Sequence, residues 1–141
     1  MRERANEQRG SAILEAALVL VVFVMLFLGL ADVARMMYAH NEMPYLAREG
    51  ARYAAVHGSA SSSPMTCGQV IAHVRAIAPG VDPSLLTIEV NGQTSPSNST
   101  ALGAAPNNAT VTASYTLNPI FTKMLGSSVT VSGKSSLEYA Q

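Results

Sequence analysis

Few side chains in this sequence could do chemistry, and they are scattered. Histidines stand at His40, His57 and His73, one cysteine at Cys67, and one carboxylate, Glu15, inside an otherwise apolar run. The histidines have no carboxylate or cysteine at ligand spacing, and no HExxH, CxxC or EF-hand pattern occurs, so neither a metal nor a cofactor is expected. The glycine patterns of nucleophile elbows, P-loops and dinucleotide folds are missing as well, which removes the usual anchors of catalysis, and no catalytic residue is expected. A lone cysteine excludes an internal disulfide, and Cys67 reads as a small buried apolar residue. Met25, Met36, Met37 and Met43 read as flexible packing.

Glu15 needs its own account. From residue 11 to residue 31 it is the only charge, and about 21 residues rising 1.5 Å each make a helix of roughly 31 Å, the thickness of bilayer hydrocarbon. An ionisable group near the centre of such a span costs about 2.5–3.5 kcal/mol, less toward its edge, so a carboxylate there calls for a partner. Gly10 precedes the run and Glu15 is the fifth residue after it. Hydrolysis of the Gly10–Ser11 bond would free an amine at Ser11 one helical turn from the carboxylate. In an array of parallel helices offset by about a turn, Glu15 of one copy would neutralise the Ser11 amine of the next and set their axial register.

The residues around this junction carry a resemblance. Arg9-Gly10-Ser11-Ala12-Ile13-Leu14-Glu15 is similar to the prepilin-peptidase signal of type IV pilins. Downstream, Gly29-Leu30-Ala31-Asp32-Val33-Ala34-Arg35, Met37-Tyr38-Ala39 and Ala47-Arg48-Glu49-Gly50-Ala51-Arg52-Tyr53-Ala54-Ala55-Val56 resemble the TadE-like pseudopilins of tight-adherence (Flp) pilus systems. The sequence departs from that pattern at Ala16, where an aromatic residue is common, and at Val21, where a proline is. The resemblance implies a minor pseudopilin cut between Gly10 and Ser11 by a prepilin peptidase. Its further partners would be other pilins and pseudopilins, the inner-membrane assembly platform, and membrane lipid.

Composition agrees with a single anchored unit. Nine basic residues balance nine acidic ones, and charged residues make up only 13% of the chain, which leaves no basic surface for nucleic acid. Apolar residues are concentrated in the N-terminal run, and the remainder is rich in Ser, Thr, Asn, Ala and Gly. Arg2, Arg4 and Arg9 crowd ahead of the run while Arg35, Arg48 and Arg52 are spread behind it, which favours a cytoplasmic N-terminus. The expected division is a leader over 1–10, a transmembrane helix over 11–31, a stalk continuation over 32–57 and an extracytoplasmic head over 58–141, at the bacterial inner membrane.

Helix formers continue to Val56 with Pro44 as the one breaker, so the expectation is a long helix kinked or interrupted there. Val33, Met37, Pro44, Ala47, Ala51 and Ala54 trace one face. Arg48, Glu49, Arg52 and Tyr53 read either as a solvated face or as subunit contacts. Ser63-Pro64 suggests the start of a second helix running over 64–78, with Val70, Ile71, Val74 and Ile77 toward the core. Leu86, Ile88 and Val90 alternate as a strand ending in an Asn91-Gly92 turn. Residues 93–108 read as a long polar loop; Val111, Ala113, Tyr115 and Leu117 mark a second strand, 120–125 a short helix or apolar loop, and 128–139 a last strand weakened at Gly133. The fold class expected is α+β: a long transmembrane and stalk helix, then a small head with one further helix and a three-stranded antiparallel sheet.

A different reading treats the N-terminus as a plain anchor, or as a signal peptide cleaved after Gly29-Leu30-Ala31, on an external binding module whose loop 93–108 meets a ligand.

Overall fold

A computed structural model describes residues 2–104, 107–120 and 128–140, with side chains described from residue 12 onward. The element order is α1 (Arg2–Val56), α2 (Cys67–Ala76), β1 (Leu86–Val90), β2 (Asn108–Leu117) and β3 (Val129–Glu138). The strands form one antiparallel sheet in the order β1-β2-β3. The expected α+β architecture is what the chain adopts. The short helix or loop anticipated over 120–125 falls almost wholly outside the described residues.

α1 divides by burial rather than by a break. Residues 12–27 are exposed throughout, whereas Ala39, Met43, Leu46, Ala47, Ala51 and Ala54 are buried against the sheet and α2. The expected face holds for Ala47, Ala51 and Ala54, but Val33 and Met37 are exposed. Pro44 does not interrupt the helix. Proline deletes the bond that its N–H would give to the carbonyl of His40, and His40 is exposed, so water can serve that carbonyl instead.

β3 and α1 climb together. Val129 shares a groove with Val33 and Met36, Val131 with Met37, His40 and Asn41, Gly133 lies on Met43 and Pro44, and the N–H of Ala140 donates to Ala55 O at 2.9 Å. The match is geometric. From Val129 to Ala140 a strand rises about 36 Å at 3.3 Å per residue, and from Val33 to Ala55 a helix rises about 33 Å at 1.5 Å. Gly133, expected as a weak point, is instead the closest approach: a Cβ there would collide with the backbone of Met43 and Pro44. Gly50 plays the same part against the side chains of Val74 and Val111.

α2 starts later than Ser63-Pro64 suggested. Thr66 is the N-cap, its hydroxyl accepting from the Gln69 N–H while the Gln69 side chain accepts from the Thr66 N–H. This reciprocal pair satisfies two otherwise orphaned donors, an advantage that a serine followed by proline does not offer. Val70, Ile71 and Val74 are buried as their spacing required, and Ile77 caps the C-terminus half-buried.

The strands follow their alternation: Leu86, Ile88 and Val90 in β1 and Val111, Ala113, Tyr115 and Leu117 in β2 all point into the core. Asn91 (φ 50°) and Gly92 (φ 83°) both take the left-handed conformation, and Val90 and Gln93 exchange backbone bonds across them, as a two-residue turn of type I′ requires. The loop after that turn is exposed but tied down. Thr100 O and Asn98 O accept from the N–H groups of Cys67 and Gly68, so the loop caps the start of α2, and Leu102 is buried.

Candidate functional site

The N-terminal half of α1 carries the residues that the sequence singled out. Gly10 and Ser11 lie inside α1, which runs through the Gly10–Ser11 bond without a break. Their side chains are outside the described set. Glu15 is exposed, one turn above Ser11, and borders a shallow groove lined by Ala12, Ala16, Val19, Leu20 and Phe23. The groove exists because Ala12 and Ala16 leave room beneath the larger side chains one and two turns higher. A helix with apolar side chains exposed all round cannot be stable in water at this length, so it is covered by lipid or by other helices. α1 is long and apolar enough to cross a membrane, with its most apolar stretch unburied by the rest of the chain.

At the other end of α1 the charged block is divided in its roles. Arg48 and Arg52 are exposed, and Arg52 reaches Glu49 at 3.4 Å, a solvent-facing pair of little energetic weight. Tyr53 is engaged within the head: its ring stacks on His73 (centroids 3.8 Å, planes 9° apart) and leans on His57 (4.3 Å). His57 Nδ1 lies 2.8 Å from Tyr53 O, so Nδ1 carries the proton and donates to a carbonyl that also accepts the backbone N–H of His57 at 3.3 Å. Arg48, Arg52 and Glu49 thus face outward, whereas Tyr53 closes the seam between α1 and α2.

Sequence reasoning passed over two residues that fix the head on its stalk. Asp32 Oδ1 accepts the N–H of Ile120 at 2.9 Å, and the Tyr38 hydroxyl donates to Pro79 O at 2.7 Å. A carboxylate just after an apolar run is a recognisable signal; its partner, 88 positions away, is not.

No grouping of three or more His, Cys, Asp or Glu able to hold a metal occurs among the described residues. Cys67 is buried, and that burial raises its pKa above the ordinary thiol value, which makes it a poor nucleophile. Asp82 is held below the usual carboxylate range by hydrogen bonds from the hydroxyl and N–H of Ser84.

Residues 10–52 match the model of a family described as TadE-like protein. The match begins at Gly10 and ends at Arg52, so it lies wholly within α1 and leaves α2 and the sheet outside it. No curated protein and no solved structure matches the chain. Helix α1 therefore carries a TadE-like segment, running from Gly10 to Arg52.

Proposed function

We propose that this protein is a minor pseudopilin of a tight-adherence (Flp-type) pilus. It is inserted in the bacterial inner membrane with residues 1–10 cytoplasmic and the head periplasmic, and is cut by a prepilin peptidase between Gly10 and Ser11. The observation that carries this reading is the TadE-like match over residues 10–52, falling on a helix whose lower half is bare and whose upper half is built into a folded head. Residues 11–31 are the membrane segment, 32–57 the stalk and 58–141 the remainder of the head, whose core the stalk completes from Ala39 upward.

Cleavage demands a locally extended chain, and α1 is helical through the junction. Gly10 supplies the weakness: glycine is about 1 kcal/mol poorer than alanine in a helix interior, so the chain opens more readily there than in the alanine- and leucine-rich turns above. The new amine at Ser11 and the carboxylate of Glu15 then stand four residues, about 6 Å, apart along the helix axis. A neighbouring copy displaced by that distance sets its amine against Glu15 and offsets part of the cost of holding a carboxylate in lipid. The groove beside Glu15 gives the neighbour's helix room to approach. Arg48 and Arg52, exposed on the stalk, and the half-buried Glu49 between them are available for contacts with other subunits or with the assembly platform.

The test is Glu15→Ala against Glu15→Asp in a pilus-producing host. Glu15→Ala is expected to insert in the membrane at normal levels and to lose pilus assembly, with Glu15→Asp retaining part of it. Normal piliation with Glu15→Ala would remove the role assigned to the carboxylate.

A further inference from the structure

One end of the head comes down to the level at which the apolar run stops. Leu117 of β2 pairs with Val129 of β3, and these form the lowest rung of the sheet. With Pro119 they face Gly29, Asp32, Val33 and Met36 across an apolar groove of about 310 Å³. Gly29 belongs to the membrane segment itself. The bond from the Ile120 N–H to Asp32 Oδ1 pins the turn after β2 to the first residue beyond that segment.

Among the described residues this rim is largely apolar and open, although Asn118 and Ser128 are exposed beside it. Ile120 is 52% exposed, Met37 62% and Leu30 69%, and all three lie beside the groove or one to two helical turns from it. The heights are also those of the interfacial layer: residues 32–38 rise about 10 Å above the end of the hydrocarbon, and each headgroup zone is about 5–8 Å deep. Arg35, which lines the same groove, is a cation at headgroup depth, and Tyr38 sits where aromatic side chains favour the membrane surface.

From this geometry we infer that the head is seated on the bilayer, with the rim formed by Pro119, Ile120 and Met37 immersed in the interfacial layer and covered by phospholipid. The inference rests on the membrane reading of α1 and adds to it a fixed depth for the head.

The chain contains no tryptophan, so single tryptophans report without background. The full-length protein is reconstituted in phosphatidylcholine vesicles containing phosphatidylcholine brominated at shallow or deep acyl positions. Ile120→Trp reads the rim, and Met37→Trp repeats that reading from the helix side should the first substitution disturb the turn. Leu18→Trp reads the span. Glu138→Trp, nine strand positions or about 30 Å above Val129, reads the far end of the head. The expected result is loss of most Ile120→Trp and Met37→Trp emission with the shallow label and of Leu18→Trp emission with the deep one, with Glu138→Trp unaffected. Unquenched rim tryptophans beside a quenched Leu18→Trp would show the head standing clear and overturn the inference. Blue-shifted but unquenched rim tryptophans would mean that a second copy covers the rim, which also overturns it. An unquenched Leu18→Trp would fell the membrane reading and the seating with it.

Discussion

Gly133→Ala is the substitution whose consequence follows most directly from the packing of β3 on α1. Elsewhere in a strand this change is mildly stabilising, because alanine loses less backbone freedom on folding than glycine, by about 0.5–1 kcal/mol. Here the sign reverses. The added Cβ would lie well inside the 3.0 Å that real Cβ contacts respect, and the atoms it meets are Pro44 N, Met43 C and Pro44 Cα. All three are backbone atoms of a helix buried at Met43, with no rotamer to change. The strand must move off the helix, loosening Val131 on one side and Tyr139 on the other. Overpacking of this kind costs about 1–3 kcal/mol, and a rigid obstacle puts the estimate at the upper end, about 2–3 kcal/mol. For a head of about 100 residues that is a fall in Tm of roughly 8–20 °C. Gly50→Ala is the internal comparison: its Cβ would meet Val74 Cγ2 at 2.8 Å and Val111 Cγ1 at 3.0 Å, side-chain methyls that can shift slightly, so the loss should be smaller. Gly29→Ala, with nothing within 4 Å, should leave the head's Tm unchanged. Thermal unfolding of the detergent-solubilised full chain, followed by circular dichroism, gives the ranking. A Gly133→Ala protein as stable as the parent would refute the close approach of β3 to α1.

Three smaller predictions concern the head. Thr66→Ala removes the capping box of α2 and should cost about 1 kcal/mol in urea unfolding, whereas Ser63→Ala, four residues before the helix, should cost nothing measurable. Cys67 should resist alkylation at mildly alkaline pH in the folded chain and react quickly once unfolded; prompt labelling of the native protein would contradict its burial and raised pKa. Asp82 is depressed in the folded state, so its contribution is present above the ordinary carboxylate pKa and lost as the pH falls through the lower folded value. Replacing Ser84 with alanine should return the Asp82 titration, followed by NMR, toward the ordinary value; an unmoved titration would assign the shift to something other than Ser84.

What could be read in the residues, and what could not, divides by range. The period-two alternation of Val111, Ala113, Tyr115 and Leu117 and the helical spacing of Val70, Ile71 and Val74 encode burial locally, and the structure follows them. The start of α2 is a local signal too, but Thr66 and Gln69 outcompete the more conspicuous Ser63-Pro64 by satisfying two donors at once. Pro44 and Gly133 look like separate local defects in sequence. In the fold they meet, one on the helix and one on the strand that lies against it, and no pattern within either segment announces that meeting. Val33 and Met37 belong to the apolar stripe by spacing, yet the sheet's lower end leaves them uncovered. Loop 93–108 has the composition of a free loop, but three of its backbone carbonyl and amide groups bond to Met65, Cys67 and Gly68. At the N-terminus the legibility is reversed: Gly10, Ser11 and Glu15 owe their proposed roles to spacing along one helix and to the family match, and the fold adds chiefly that Glu15 is exposed.

The measurement that bears most directly on the proposed function is the N-terminal residue and intact mass of the protein isolated from membranes, with and without a co-expressed prepilin peptidase. A chain that begins at Ser11 only when the peptidase is present is the predicted result. A start near Asp32, or an unchanged Met1 in both preparations, would contradict it.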